Sequence, residues 1–403
     1  MLTDPMHRPG ATPMQILEIE TFGRGGLAHY VDNLSRALAA RGHDVTVLTA
    51  ADYELEGRTE LPANLHLEKR IARRTGSAAK RRSGFLARWL RKAEAVHDAF
   101  AVARYVRHAR PDVVHLHCTN SVAALYLTLL RRAGRPLVFT AHVVTPHEPV
   151  ALQTSIYRRI HRSADLVVAH SAVDRDRLRR EFGIDDEKVA VIPHGEYGFF
   201  ERRGELPDKQ SARHTVGARV SDLVVLFFGY IREYKGLDIL LDAWPAVAAA
   251  VPRARLLVAG DPVQLAPARR AELEGMVRSV GALHRFDYVP FPEVAAYFAA
   301  SDVLAMPYRR ISQSGVLFLG LALGLPVVAT EVGALPEMLQ HGESALLVPR
   351  ESPEKLADAL IRALTDADLR ERLARGGRRV AADHSWESIA LQTETAFTRL
   401  RAD

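Results

Sequence analysis

The chain has 403 residues, of which 48% are hydrophobic and 25% are charged, and its formal net charge is +6. This length is too great for one hydrophobic core and predicts two domains, while the composition excludes extended disorder. A single cysteine, Cys118, excludes an internal disulfide. No uncharged apolar run reaches the ~18 residues of a membrane span, and the first residues lack the apolar core of a signal peptide, so we expect a cytoplasmic protein.

The first fifty residues predict a strand, a helix and a second parallel strand. Residues 14–19 are predicted as a strand, the pair Gly25 and Gly26 lies in the loop that follows, and a helix is predicted from about residue 27 to 41. The two glycines allow a phosphate or a sugar to approach the backbone closely. The loop lacks the G-x-G-x-x-G pattern, and no acidic residue ends the second strand, which disfavours a nicotinamide dinucleotide.

Residues 69–92 carry much of the excess positive charge. This basic segment contains ten Lys or Arg residues, no acidic residue, and the aromatic residues Phe85 and Trp89. On a helix these side chains would form an apolar edge flanked by cations, which suits an anionic membrane surface. A solvated surface or a contact with an anionic acceptor would give the same pattern. We favour peripheral contact with the inner face of the plasma membrane, and we disfavour nucleic acid because aromatic residues are not interleaved along the run.

Two histidines are predicted at the carboxyl ends of parallel strands. His117 ends the apolar run at 113–117, and His142 follows the strand predicted at 137–141. Ligands of open α/β sheets bind at these strand ends, so either imidazole could bind a hydroxyl or a phosphate, or carry a proton. We expect His115 to face the other side of the sheet and to be structural. A zinc site formed by His115, His117 and His142 is disfavoured, because its ligands would have to come from alternating faces.

Strands and helices alternate up to about residue 193, and the polar residues 196–218 predict an interdomain linker. A second domain then begins with the strand predicted at 224–228. The loop after this strand starts at Gly229 and contains the cations Arg232 and Lys235. We interpret these cations as partners of a diphosphate, with solvated loop charges as the alternative.

The segment 301–337 predicts a strand, a loop, a helix and a second strand. Gln313, Ser314 and Gly315 lie where the loop enters the helix, which is predicted from about Val316. These small residues leave backbone N–H groups of residues 314–316 available to an anion, and the helix dipole favours negative charge there. The alternative is a plain crossover in which Ser314 only caps the helix.

Together these elements predict an α/β protein of two doubly wound, Rossmann-like domains whose strand ends face a central cleft. Residues 1–197 form the predicted N-terminal, acceptor-side domain, and residues 198–385 form the predicted C-terminal, donor-binding domain. The last helix, within residues 386–403, is expected to pack back on the first domain.

A series of motifs follows in order along nearly the whole chain and resembles the family 4 retaining glycosyltransferases, which have the GT-B fold. The motifs are G-G-x-x-x-Y-V, D-V-V-H-x-H, T-A-H, V-I-P-H-G, G-Y-I-R-x-Y-K-G, S-D-V-L-x-M-P-Y, Q-S-G-V and G-L-P-V-V-A-T-x-V-G-x-L-P-E. The resemblance implies transfer of a sugar from a nucleoside-diphosphate sugar to an acceptor hydroxyl with retention, without a metal or another cofactor. It implies that Gly25, Gly26 and Lys235 flank the diphosphate and that His142 lies near the anomeric carbon.

The sequence departs from the family pattern at two places. Ile311 and Leu319 occupy the positions where members of the family carry a pair of glutamates, and Tyr230 stands where an arginine is usual, with an arginine two residues later. The remaining motifs resemble a subgroup found in polysaccharide, glycolipid and other cell-surface glycan pathways. We therefore interpret the departures as variation, in which Gln313 and Ser314 supply neutral hydrogen bonds.

Other functions of the same architecture are a nucleotide-sugar epimerase, a pyridoxal-dependent phosphorylase and a non-catalytic partner that binds a nucleotide sugar. The sequence offers no distinct site for a lysine-bound pyridoxal cofactor. The missing glutamate pair would suit a non-catalytic partner, but His142, Arg232 and Lys235 argue against one, because a scaffold has no use for a diphosphate site.

Overall fold

A computed structural model describes residues 12–57, 60–71, 85–118, 122–144, 153–197, 206–263 and 265–402. The chain divides into two compact units: unit 1 comprises Met1–Pro193 and Trp386–Asp403, and unit 2 comprises His194–Ser385. The sequence predicts this boundary at residue 197. Among the described helices, none is both long enough and apolar enough to cross a membrane.

Unit 1 is built on a seven-stranded parallel sheet with the order β3-β2-β1-β4-β5-β6-β7. The central strands β4 and β5 are buried throughout, because helices cover both faces of a parallel sheet. The strands are β1 Gln15–Glu20, β2 Asp44–Ala50, β3 Leu65–Ile71, β4 Val113–His117, β5 Leu137–Thr140, β6 Leu166–Ala169 and β7 Val189–Val191, and the helices between them are α1 Gly25–Ala40, α2 Phe85–Ala109, α3 Ala123–Leu130, α4 Gln153–Ser163 and α5 Ala172–Phe182.

Unit 2 repeats this plan with a six-stranded parallel sheet of order β10-β9-β8-β11-β12-β13. The predicted α/β class with two doubly wound sheets is therefore confirmed. The strands are β8 Leu223–Phe228, β9 Ala254–Ala259, β10 Leu283–Arg285, β11 Val303–Met306, β12 Val327–Thr330 and β13 Leu346–Val348, and the helices are α6 Lys209–Val216, α7 Leu237–Ala250, α8 Pro267–Ser279, α9 Phe291–Ala299, α10 Gly315–Ala322, α11 Leu335–Met338, α12 Pro353–Thr365 and α13 Ala367–Asp383.

The last helix, α14 Trp386–Ala402, belongs to unit 1 although it follows unit 2 in sequence. Its buried residues Trp386, Ile389 and Phe397 join the core between α1 and the sheet. The guanidinium of Arg41, at the end of α1, donates a hydrogen bond to the carboxylate of Glu394. One face of the first sheet is therefore covered by helices from both ends of the chain.

Two predicted elements of unit 2 are wrong. The supposed linker 196–218 contains α6, whose N-cap Asp208 accepts hydrogen bonds from the N–H groups of Gln210 and Ser211. Only Ala212 and Val216 are apolar in this helix, so its sequence lacks the broad apolar stripe from which a helix is predicted. The strand predicted at 286–289 lies instead at Leu283–Arg285, because an edge strand has polar residues that an apolar run does not reveal.

The basic segment 69–92 lies largely outside the described residues. The structure describes the side chains only of residues 69–71, where Lys69 pairs with Glu56 at 2.7 Å and Arg70 pairs with Glu68 at 2.9 Å. The predicted membrane contact therefore stays a prediction.

Candidate active site

Each sheet reverses its strand order once, between β1 and β4 in unit 1 and between β8 and β11 in unit 2. Open α/β sheets bind their ligands at the carboxyl ends of the strands beside such a reversal. The predicted site residues of unit 2 follow β8 and β11, and those of unit 1 follow β1, β4 and β5.

A tight turn after β8 directs Lys235 into the interior of unit 2. Residues Glu233–Lys235 form a single 3-10 turn, which ends at Gly236 with φ 64°. A Cβ atom on Gly236 would overlap the carbonyl oxygen of Pro307 and lie 3.1 Å from its carbonyl carbon. Only glycine therefore combines this backbone conformation with this close approach.

The ammonium group of Lys235 lies beside the first turn of α10. The residue is 7% exposed, and its Nζ atom lies 5.5 Å from the centre of the Tyr308 ring. A Cβ atom on Gly229 would lie 3.0 Å from this Nζ and 3.2 Å from Cγ2 of Val316. Burial, assisted by the positive charge of Arg232, lowers the pKa of Lys235 to about 7.

Arg232 and Lys235 are two cations that lie close together in the loop after β8. Within the described part of the chain, neither has a carboxylate at ion-pair distance. Like charges that are partly buried together cost free energy, and a bound anion would offset that cost. Two cations close together at a strand end are typical of a binding site for an anionic ligand.

The N-terminus of α10 provides hydrogen-bond donors next to this pair. Ser314 is the N-cap residue, and its Oγ accepts a hydrogen bond from the N–H of Leu317 at 3.3 Å. Tyr308 lies close to both groups, since its hydroxyl interacts with the Ser314 side chain and its ring centre lies 5.5 Å from Nζ of Lys235. Gly315 lies against Tyr197, since a Cβ atom there would be 3.2 Å from the tyrosine ring.

The structure thus brings together, at the β8 and β11 ends, five of the predicted residues: Gly229, Arg232, Lys235, Ser314 and Val316. Gln313 lies next to them in sequence, with Nε2 3.8 Å from Sδ of Met338. Ile311 and Leu319, which replace the glutamates of the family pattern, are buried.

An ion-pair network that sequence reasoning missed supports the turn. Asp238 binds the guanidinium of Arg309 at 2.9 and 3.0 Å and that of Arg269 at 2.7 Å. Burial would raise the pKa of Asp238, but the hydrogen bonds and charge of Arg309, followed by the charge of Arg269, lower it. The guanidinium of Arg309 also donates to the carbonyl oxygen of Glu233 at 2.8 Å. The backbone N–H of Arg309 donates to the carbonyl oxygen of Tyr234 at 2.7 Å. The network therefore fixes the turn that carries Lys235.

In unit 1, backbone N–H groups of the glycine loop donate hydrogen bonds to carboxylates of the chain itself. The N–H of Gly25, where α1 begins, donates to Oε1 of Glu54, and Nε2 of His29 lies 3.3 Å from the same oxygen. The carboxylate of Glu20 accepts from the N–H groups of Phe22 and Gly23 at 2.6 Å each. Gly26 follows in the first turn of α1 and is exposed. A phosphate at Gly25 would have to displace Glu54.

The expectation that His115 faces away from His117 is wrong. Both rings bind the carboxylate of Glu18, His117 through Nε2 at 2.6 Å and His115 through Nδ1 at 3.0 Å. Side chains alternate along a strand, so residues two apart share a face. Burial would raise the pKa of Glu18, but its interactions with His115 and His117 lower that pKa to about 2.

His142 lies between two other histidines. Its Nε2 is 3.1 Å from Nδ1 of His117, and its Nδ1 is 3.2 Å from Nε2 of His170. The ring of Tyr30 packs edge-on against it, with 4.7 Å between ring centres. Sequence reasoning missed His170, although it follows β6 directly and thus has the strand-end position that singled out His117 and His142.

Among the described residues, Glu18, His115 and His117 bring possible metal-ligand atoms together, within 4.8 Å of one another. Ligands of a tetrahedral zinc ion, each about 2.0–2.2 Å from the metal, lie more than ~3 Å apart. The oxygen of Glu18 is only 2.6 Å from Nε2 of His117, so the two atoms share a proton. We therefore interpret this group as a hydrogen-bonded cluster.

Comparison with known proteins decides the family. The model described as Glycosyltransferase Family 4 matches residues 24–195, and the model described as Glycosyl transferases group 1 matches residues 222–366. A D-inositol 3-phosphate glycosyltransferase of Actinosynnema mirum is 30% identical, and the match covers 99% of this chain and 95% of the relative. The chain belongs to the family 4-like glycosyltransferases. A D-inositol 3-phosphate glycosyltransferase of Nocardioides sp. is also 30% identical to this glycosyltransferase, over 100% of the chain and 89% of the relative.

Solved structures show that this glycosyltransferase has the GT-B fold. HepE of Anabaena, in complex with UDP and glucose, matches with a TM-score of 0.75 at 19% identity, over 96% of this chain and 99% of HepE. A sucrose-phosphate synthase of Thermosynechococcus elongatus also matches with a TM-score of 0.75, at 23% identity over 96% and 99% of the two chains. The predicted fold class and the predicted glycosyltransferase activity are therefore confirmed.

Proposed function

We propose that this glycosyltransferase transfers a hexosyl group from a nucleoside-diphosphate sugar to an acceptor hydroxyl, with retention of the anomeric configuration. The observation that carries the proposal is the pair Arg232 and Lys235 beside the N-terminus of α10, which has no carboxylate at ion-pair distance among the described residues. HepE, which has the same fold, binds UDP-glucose and supports this choice of donor. We place the product in the biosynthesis of a cell-surface polysaccharide, a glycolipid or another glycan.

The diphosphate would be bound by three kinds of group in unit 2. The guanidinium of Arg232 suits bidentate contact with phosphate oxygens, and the buried ammonium of Lys235 supplies a second positive charge. Backbone N–H groups at the start of α10 add fixed dipoles. Because these groups are already in place, they need little reorganisation when the ligand binds.

The same groups would stabilise the leaving group. As the bond between the anomeric carbon and the phosphate oxygen breaks, its electron pair moves to that oxygen, and the negative charge of the diphosphate grows. Arg232 and Lys235 bind this charge more strongly in the transition state than in the ground state, which accelerates the reaction. The acceptor hydroxyl attacks the anomeric carbon on the same face, and its proton passes to the departing phosphate oxygen. We propose that no metal cofactor is required, because the two side chains supply the positive charge.

The acceptor is proposed from the relatives at 30% identity, which are D-inositol 3-phosphate glycosyltransferases. The test incubates the purified protein with UDP-glucose or another nucleotide sugar, with D-inositol 3-phosphate, and with EDTA present. Proton NMR of the product reports its anomeric configuration. We expect release of the nucleoside diphosphate and a product with the configuration of the donor; an inverted product would overturn retention, and dependence on added metal would overturn the metal-free mechanism.

We further propose that the basic segment 69–92 brings the enzyme to an anionic membrane, where lipid-linked acceptors lie. Its ten cations without an acidic residue are the observation behind this proposal. In a flotation experiment, the protein should rise with liposomes that contain an anionic phospholipid and remain below with uncharged liposomes. Equal behaviour with both kinds of liposome would remove the proposal.

A further inference from the structure

The guanidinium of Arg309 connects three separate parts of unit 2. Its Nη1 and Nη2 atoms bind the carboxylate of Asp238, in the first turn of α7, at 2.9 and 3.0 Å. Nη1 also donates to the carbonyl oxygen of Glu233, in the turn after β8, at 2.8 Å. Nε donates to the carboxylate of Glu351, in the loop between β13 and α12, at 2.7 Å. Four of the five guanidinium N–H groups therefore have partners within the protein.

These bonds decide what kind of role Arg309 can have in ligand binding. A guanidinium binds phosphate best through two parallel N–H groups, and such a pair is not available once four of the five donors are engaged. The side chain is also only 28% exposed. Arg309 therefore acts on a ligand through the segments that it holds, and not by direct contact.

The turn that carries Lys235 is held by Arg309 at two successive residues. In addition to the bond from Nη1 to the carbonyl oxygen of Glu233, the backbone N–H of Arg309 donates to that of Tyr234 at 2.7 Å. Lys235 is the next and last residue of this single 3-10 turn. A rotation of the turn would break both bonds and would move the ammonium of Lys235 away from the first turn of α10.

Glu351 binds Arg309 from a strained backbone conformation. Its φ is 55°, in the left-handed region, which is unfavourable for every residue that has a Cβ atom. Arg110, with φ 49°, is the other described residue besides glycine that has a positive φ. Strain of this kind persists where the surrounding structure or the function requires it. Glycine would relieve the strain at this position, but it could not supply the carboxylate that bonds Nε of Arg309.

We propose that Arg309 is a positioning residue of the diphosphate site, and that Glu351 keeps its strained backbone because its carboxylate orients Arg309. Asp238 holds Nη1 and Nη2 of the same guanidinium, and Glu351 holds Nε. The inference rests on the proposed function, because the group that Arg309 positions is Lys235, whose ammonium would bind the donor diphosphate. Affinity for the donor then depends on side chains that do not touch it.

The alternative is an ordinary surface ion pair, which contributes little to stability and nothing to ligand binding. Arg372 of α13 provides the comparison. Its Nε donates to the carbonyl oxygen of Gly342 at 2.9 Å and lies 3.9 Å from the carboxylate of Glu343. This arginine has the same kinds of partner, but it holds the segment before β13 instead of the turn that carries Lys235. Arg372→Met is therefore the matched control for Arg309→Met.

Calorimetric titration with UDP measures the first consequence. Arg309→Met should weaken UDP binding by about 10- to 100-fold, because a small displacement of a binding group is enough for such a loss. Arg372→Met should bind UDP like the parent. Equal affinities of Arg309→Met and the parent would overturn the proposal.

A double variant shows whether Arg309 acts through Lys235. Arg309→Met alone should lower kcat/KM for sugar transfer by about 10- to 100-fold. In the Lys235→Met background, the same change should cause less than a ~3-fold further loss, since effects that share one group are not additive. If the two losses multiplied in full, Arg309 would act independently of Lys235, which contradicts its role as a positioning residue for that group.

Two substitutions of Glu351 separate its carboxylate from its backbone strain. Glu351→Ala and Glu351→Gly both remove the carboxylate, and both should weaken UDP binding by about 3- to 5-fold. Only glycine adopts the φ of 55° freely, so Glu351→Gly should unfold at a higher denaturant concentration than Glu351→Ala. Arg110→Gly, at the other strained position, should bind UDP normally. Parent affinity in both Glu351 variants would refute the role of Glu351.

An NMR measurement tests the position of Lys235 without a donor. The protein is labelled with ¹³C-lysine, and the signals of Lys235 are assigned by their loss in Lys235→Met. Nζ lies 5.5 Å from the centre of the Tyr308 ring, so the ring current of the tyrosine displaces the signals of the adjoining methylene group. These signals should move toward those of exposed lysines in Arg309→Met and stay in place in Arg372→Met. Unmoved signals in Arg309→Met would overturn the proposal.

The NMR result also distinguishes failure of this inference from failure of the proposed function. A parent protein that binds no UDP would refute the function, whereas signals of Lys235 that depend on Arg309 would still establish the positioning. Should Arg309→Met fail to fold, Glu351→Ala replaces it in the spectrum, because the side chain of Glu351 is half exposed. The signals of Lys235 should then move in the same direction, and unmoved signals would count against the proposal.

Discussion

Replacing Lys235 by methionine is expected to abolish measurable binding of UDP and to lower the rate of sugar transfer by about 10²- to 10³-fold. Methionine keeps the apolar body of the side chain over the Tyr308 ring and removes the charge. The fold should be no less stable, because a buried ammonium without a carboxylate partner among the described residues costs free energy. Calorimetric titration with UDP and a steady-state transfer assay measure the two effects.

Lys209→Met is the matched control for this experiment. Lys209 also lies in unit 2, but its side chain is half exposed and pairs with Asp302 at 2.6 Å. The control variant should bind UDP and transfer sugar like the parent. If Lys235→Met also bound UDP with the parent affinity, the assignment of the diphosphate site to this loop would be wrong.

The low pKa of Lys235 predicts whether protons are taken up or released in the same titration. In the free enzyme this pKa is about 7, and a bound diphosphate favours the charged ammonium, so UDP binding above pH 7 should take up a proton. At about pH 8, the measured enthalpy should therefore vary with the ionisation enthalpy of the buffer. Between about pH 7 and the ordinary lysine value of ~10.4, the unfolded chain binds more protons, so this group adds stability as the pH rises. An enthalpy independent of the buffer at pH 8 would contradict the assignment.

Gly236→Ala is expected to lower the free energy of unfolding by about 3 kcal/mol or more. The new Cβ atom would overlap the carbonyl oxygen of Pro307, and the φ of 64° is unfavourable for alanine. Because the backbone must shift to relieve the overlap, Lys235 should move as well, and UDP binding should weaken. Denaturant unfolding and calorimetric titration check the two consequences.

Gly281→Ala isolates the contribution of the overlap. Gly281 lies in the same unit and has a φ of 67°, but a Cβ atom there would meet nothing within 4 Å. This variant should cost only the conformational strain of about 1–2 kcal/mol and should bind UDP normally. Equal losses of stability in the two variants would show that the approach to Pro307 is not tight.

The central strands of the second sheet could be predicted from the sequence because burial on two faces leaves a continuous apolar run. The run Val303–Met306 is an example. The edge strand Leu283–Arg285 and the helix Lys209–Val216 carry no such pattern. Their places are determined by tertiary contacts, such as the bond from Arg213 to Asp302 at 2.7 Å.

The site was predictable where strand ends and glycine turns mark it, as for Lys235 and Ser314. The residues that support the site could not be predicted, because contacts between side chains of neighbouring strands depend on the register of those strands. The contact of Glu18 with His115 follows from their direct opposition on β1 and β4, which a single sequence does not reveal. The misplacement of His115 had a different cause, since the two-residue period of a strand already places it with His117.

The position of α14 affects how the chain folds during synthesis. The side chains of Trp386, Ile389 and Phe397 complete the core that α1 shares with the first sheet, yet the ribosome adds them only after all of unit 2. The unit 1 sheet therefore keeps an apolar face exposed to water while unit 2, about half of the polypeptide, is synthesised. Chaperone binding to the nascent protein should concentrate on that interval and end once residues beyond Trp386 leave the exit tunnel.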